Sequence, residues 1–286
     1  MLMLGLDVTI GPGKELPPHI GGALHGFVDG KVSKHAHQVY STLKPAGQNE
    51  NATIAIEAPP YNQKISTSFR FGVVLFREAT QSWNVIAQAL IELATEKEFN
   101  NRSIKINSAT ICQPGSPIQA AALDGRLIEP APKHESTLSW IRRVRTADHH
   151  PQELALRMHC LDFRSPLLVG SRDNIRPNNE VPWPSLKTVL DSIAKRMVLE
   201  PELAETIGIT HGWCASDRLK YIYPFYALAK QITWRYKGNP MPGIVGRLIY
   251  TAALSSPELA LLEWGQWLGV GQKTTMGCGR YVYTPT

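Results

Sequence analysis

The chain has 286 residues, of which 43% are hydrophobic and 19% charged. That length accommodates two ordinary domains, and the apolar content excludes a disordered chain. The net charge of +6 suits a polyanionic partner, whereas four cysteines with no C-x-x-C pair speak against a zinc ribbon or a disulfide framework.

In chain order, LMLGLDVTI (2–10) reads as an apolar strand, and PPHIGGALHGFVDGKV (17–32) as a glycine-interrupted helix. ATIAIEA (52–58) and FRFGVVLF (69–76) follow as strands. SWNVIAQALIELATEK (82–97) sets Trp83, Ile86, Leu90, Leu93 and Ala94 on one helical face, and SIKINSATI (103–111) alternates as a strand. The order is βαββαβ. It recurs with longer connections: a strand at 154–163, a helix at 184–199 with Leu186, Val189, Leu190, Ile193 and Met197 inward, and strands at 230–236 and 243–252. A helix at 257–267 starts on Ser256, Pro257 and Glu258, and GCGRYVYT forms the last strand.

Two such units imply an α+β protein of tandem ferredoxin-like domains, each a four-stranded antiparallel sheet with helices on one face. The expected boundaries are 1–123 for the first domain, 124–152 for a bridge, and 153–286 for the second. No stretch approaches the ~18 apolar residues of a membrane span, and the opening apolar run is short for a leader. The expected setting is the cytoplasm, away from membranes.

Between the last helix and the last strand lies LGVGQKTTMGCGRY (268–281), with Gly269, Gly271, Gly277 and Gly279 around Lys273, Thr274 and Thr275. Glycine is used where φ must be positive or where another backbone or a ligand comes close. Basic and hydroxyl neighbours suit phosphate. No G-x-x-x-x-G-K-[ST] is present, and the glycines follow a helix instead of opening one, so the nucleotide-binding loops do not fit. The equivalent segment of the first half, EKEFNNRSIKI, lacks glycines. A tight structural turn is the competing reading.

WRYKGNPMPGIVGRLIY, followed by LLEWGQWLGVGQKTTMGCGRY, resembles the C-terminal half of the CRISPR repeat-processing endoribonucleases of the RAMP superfamily, whose hallmark is a glycine-rich loop before the final strand. LDFRSPLLV with WPSLKTVLDSIAKRM, LPPHIGGALHGF and FRFGVVLFREAT extend the resemblance over most of the chain. Where relatives commonly carry Arg-Gly in the first helix, this chain has His25-Gly26.

The resemblance implies cleavage of CRISPR repeat RNA without metal or cofactor, by attack of a ribose 2′-OH on the adjacent phosphate to leave a cyclic phosphate. It also implies retention of the crRNA product and assembly with other CRISPR effector-complex subunits. Such chemistry needs an acid and a base, and histidine serves either role near neutral pH. The first-helix zone holds His19, His25, His35 and His37. His25 and His37 are the candidates for catalysis, with Tyr40 to orient and Lys44 to stabilise charge. A purely RNA-binding subunit is the alternative function. For RNA contact the candidates are the loop residues Gly269, Gly271, Lys273, Thr274, Thr275, Gly277, Gly279 and Arg280. Arg235 and Lys237 in WRYKGNP, and Arg142, Arg143 and Arg145 in WIRRVRTADHH, complete the set.

Overall fold

Strand β1 (Leu2–Ile10) alternates Leu2, Leu4, Leu6, Val8 and Ile10 toward one side, and all five are buried in a single apolar cluster. The computed structural model describes residues 1–35, 53–93, 98–99, 102–112, 119–120, 122–123, 126–127, 155–168, 183–197, 199–236 and 238–285. They divide into two units, one comprising Met1–Arg143 with Thr275–Gly277, the other Val144–Thr274 with Cys278–Thr286.

In the first unit β1 lies between β3 (Ser68–Leu75) and β5 (Arg102–Cys112), antiparallel to both. β2 (Ile54–Glu57) pairs with β3, and β4 (Glu98–Phe99) with β5. Helices α1 (Gly21–His35) and α2 (Trp83–Leu93) pack Leu24, Val28, Val32, Ile86 and Leu90 into the same cluster. The spatial order β2-β3-β1-β5 is that of a ferredoxin-like sheet. On its other face Asp7 accepts a hydrogen bond from Ser108 at 2.7 Å and pairs with Arg70 at 3.4 Å. Helix α1 begins four residues later than its sequence pattern, because Pro17 and Pro18 lie outside it. The short strands β6 (Gln119–Ala120), β7 (Ala122–Leu123) and β8 (Arg126–Leu127) follow, with β6 on β5 and β7 on β8.

The second unit repeats the scheme. β9 (Leu156–Leu167) runs between β11 (Asn239–Ala253) and β12 (Tyr281–Pro285), with β10 (Tyr226–Tyr236) at the edge beside β11. Helix α3 (Leu186–Met197) buries Leu186, Val189, Leu190, Ile193 and Met197, the five residues its periodicity marked. A short helix, α4 (Pro201–Thr206), and a 3-10 turn (Asp217–Tyr221) fill the connection to β10. Helix α5 (Ser256–Leu268) returns along the sheet. Tyr281 donates to the Leu262 carbonyl at 2.6 Å, joining β12 to α5. Among the described residues no helix is long and apolar enough to cross a membrane.

Candidate active site

The glycine-rich loop leaves α5 at Gly269, which has φ of 78°, and turns again at Gly271, Gly277 and Gly279 with φ of 81°, 76° and 69°. Protein backbone fills the space beside these glycines. A β-carbon on Gly271 would overlap the Leu168 carbonyl oxygen, and one on Gly279 the Val270 carbonyl oxygen. One on Gly277 would lie 3.0 Å from the Ile56 carbonyl oxygen, and one on Gly269 3.1 Å from the Thr274 methyl. The loop folds on itself, on the end of β9 and on α3: Gly279 donates to Pro166 at 2.9 Å, Gln272 to Leu168 at 2.8 Å, Val270 to Gly279 at 3.0 Å, and Gly271 to the Ser192 hydroxyl at 2.7 Å. These amides are spent inside the protein, so the part of the loop with polar groups turned outward is its apex. There Gln272 and Lys273 are exposed and Thr275 is half-exposed, while Thr274 is buried.

Arg280 points the other way. It is 2% exposed, and its guanidinium donates to the Trp267 carbonyl at the end of α5. Arg196 donates to the neighbouring Leu268 carbonyl at 2.8 Å. Two cations thus cap one helix C-terminus, the favoured place for positive charge. Burial and the nearby Arg280 push the Arg196 pKa down to about 9. The structure therefore gives Arg280 a packing position where the sequence suggested an RNA contact. Trp234 is likewise 5% exposed, packed with Leu168 and Cys278, while the next residue, Arg235, is exposed.

Residues Thr275–Gly277 belong to the first unit. Met276 lies against the start of α1, so close that a β-carbon on Gly21 would overlap its carbonyl oxygen. The His19 imidazole hydrogen-bonds the Met276 backbone, and burial pushes the His19 pKa down to about 4. His19 is thus a neutral packing histidine at pH 7. His25 sits four residues beyond Gly21 on α1, half-buried. Residues four apart share a helix face, about 6 Å along the axis. Within the first unit, His25 therefore lies about one helical turn from the Gly21–Met276 contact. The side chain of His35, and His37, Tyr40, Lys44, Arg142, Arg143, Arg145 and Lys237, lie outside the described residues.

Residues 161–281 match the family model described as CRISPR-associated endoribonuclease Cas6. This stretch is similar to the Cas6 endoribonucleases. The matched stretch runs from β9 to the first residue of β12 and contains the whole glycine-rich loop. No curated protein matches the chain in sequence. Among solved structures, the product complex of Cas6 (TTHB231) from Thermus thermophilus superimposes with a TM-score of 0.59 at 13% identity, covering 100% of this chain and 99% of that one. The product complex of Cas6 (TTHA0078) gives 0.57 at 18% identity, over 99% and 100%. A RAMP protein described as binding different RNA substrates gives 0.53 at 12%, over 99% and 100%. These likenesses extend the tandem ferredoxin-like fold of Cas6 and RAMP proteins over the full chain. They bear out the α+β fold, and the family match over 161–281 bears out the resemblance read from the sequence.

Proposed function

We propose that the protein is a metal-independent endoribonuclease that cuts CRISPR repeat RNA into crRNA and keeps its product within a CRISPR effector assembly. The observation that supports this reading most is the seating of Thr275–Gly277 on the first turn of α1, one turn from His25. A histidine-bearing helix that carries this segment on its first turn supplies a proton-transfer group of the kind 2′-OH attack requires. His25 moves the proton at the 2′-oxygen or at the leaving 5′-oxygen, and cationic side chains meet the charge developing on the phosphate. The matched Cas6 region and the RNA product complexes of the structural relatives agree with RNA as substrate. A relative in a Cas6-RT-Cas1–Cas2 complex agrees with further CRISPR protein partners.

The test is cleavage of the repeat RNA in excess EDTA, with and without a 2′-deoxy nucleotide before the cut. Cleavage should persist in EDTA and stop on the deoxy strand. His25→Ala should lower the rate by ~10²–10⁴ while RNA is still retained. Metal dependence, or cutting of the deoxy strand, refutes the mechanism. Retention of wild-type product without any cleavage supports the binding-subunit alternative. A fully active His25→Ala variant moves the catalytic role to His37.

A further inference from the structure

Residues 218–257 form a forty-residue stretch with six cations, Arg218, Lys220, Lys230, Arg235, Lys237 and Arg247, and no Asp or Glu. Within it the 3-10 turn ends at Tyr221 and the chain enters edge strand β10 through IYPFYAL. Tyr221, Tyr223 and Phe225 are 75%, 55% and 59% exposed, while the intervening Ile222 and Pro224 are half-buried. Exposure thus alternates from 221 to 225, and the extended backbone at Ile222 spaces Tyr221 from Tyr223 by roughly the 6–7 Å of two extended residues. Tyr226 and Leu228 continue the exposed run at 48% and 60%. Their register partners Ile249 and Arg247 put both on the helix-free face of the sheet. The Lys220 ammonium stands 5.8 Å from the centre of the Tyr221 ring, and Lys230 follows at the far end of the run, exposed.

Large exposed apolar clusters are uncommon on soluble proteins and mark interaction surfaces. Their composition selects the partner here. Rings interleaved with cations, in a stretch free of acids, match a polyanion with flat apolar faces, which is single-stranded nucleic acid. An aliphatic protein partner would find bare positive charge where its own contacts are apolar. Stacked bases repeat every ~3.4 Å, about half the ring spacing, so one base fits between neighbouring rings.

We propose that Tyr221, Tyr223 and Phe225, with Lys220, form a stacking platform for unpaired RNA nucleotides on the second unit. It rests on the reading of RNA as substrate, and it assigns to this strip the single-stranded part of that RNA. The segment IYPFYAL carries no glycine and no histidine, so its sequence bears none of the marks of the loop or of the first-helix zone.

The full-length protein is titrated with a labelled 12-nucleotide RNA of unrelated, non-self-pairing sequence and with a blunt RNA duplex. In the Tyr221→Ala/Tyr223→Ala/Phe225→Ala variant, affinity for the single strand should fall by at least about tenfold, the loss typical of removing a stacked base contact. Affinity for the duplex and the melting temperature should hold, because the rings are exposed. Lys220→Ala should reduce the log–log salt slope for the single strand by ~0.7. Unchanged single-strand affinity, or an equal loss for the duplex, overturns the proposal. Loss of concentration-dependent self-association with RNA affinity intact overturns it too, in favour of a protein interface. Cleavage of repeat RNA is scored separately. A wild-type protein that binds the unrelated strand through these rings yet leaves repeats uncut would refute the endonuclease reading and leave the platform standing.

Discussion

At Gly279 the backbone turns with φ of 69°, and the volume a side chain would need is held by the Val270 carbonyl. Gly279→Ala should therefore cost about 2–4 kcal/mol, combining left-handed strain with overpacking, read as a lowered urea midpoint. Lys273→Ala makes the contrast. The side chain is exposed, so stability should stay within ~0.5 kcal/mol, while the salt slope for RNA binding should drop by ~0.7 if Lys273 meets a phosphate. The glycines were legible as positions needing an unusual backbone. What approaches them was not, because Leu168 and Ile56 are distant in sequence and meet the loop only in the folded chain. Arg280 misled for the same reason. A cation after a glycine gives no sign of which way it faces, and here the carbonyl of Trp267 holds it inward.

Helix α5 shows how an element boundary is set by one buried carboxylate. Its N-cap is Ser255, one residue before the start read from sequence, with Glu258 completing a capping box. Glu258 is 2% exposed and accepts from the Ser255 amide at 2.8 Å, the Ser216 amide at 3.2 Å and Arg218 at 3.3 Å. Glu258→Ala would strand all three donors, and a loss of about 2–4 kcal/mol is expected from the cap and the unmet hydrogen bonds. Calorimetric melting of the full chain measures it, and a loss below ~1 kcal/mol would show that water replaces the carboxylate. The helices were well marked because burial follows a 3.6-residue period, as in α3. Strand β10 was read four residues short. Its first residues, Tyr226 to Ala229, mix exposed aromatic and aliphatic side chains, so polarity does not alternate there even though the pairing does. Helix α4, six residues long, carries too little periodicity to register.

Across the whole molecule, the ferredoxin-like class of both sheets followed from counting elements, since two βαββαβ runs leave few ways to bury their apolar faces, whereas the added strands β4 and β6 on β5 did not. Which loop residues joined which unit was not countable. That membership makes the first unit sensitive to acid. His19, held near pKa 4 under Met276, stays neutral in the folded protein while the unfolded chain protonates near 6.5. Stability is thus fully present above the unfolded pKa and is lost as pH falls from 6.5 to 4, by about 3 kcal/mol at the limit. Urea denaturation across that range should show the decline, and His19→Gln should flatten it. Burial lowers the His159 pKa as well, so a residual slope is expected in that variant.

The position of Thr275–Gly277 also sets a schedule for biosynthesis. A ribosome adding roughly 5–20 residues per second finishes Met1–Arg143 on the order of ten seconds before those three residues exist. Throughout that interval the nascent first unit lacks the Met276 cover over Gly21 and His19. It waits with an open seam for chaperones or for its own later chain, and reaches its final packing only after most of the second unit has been translated.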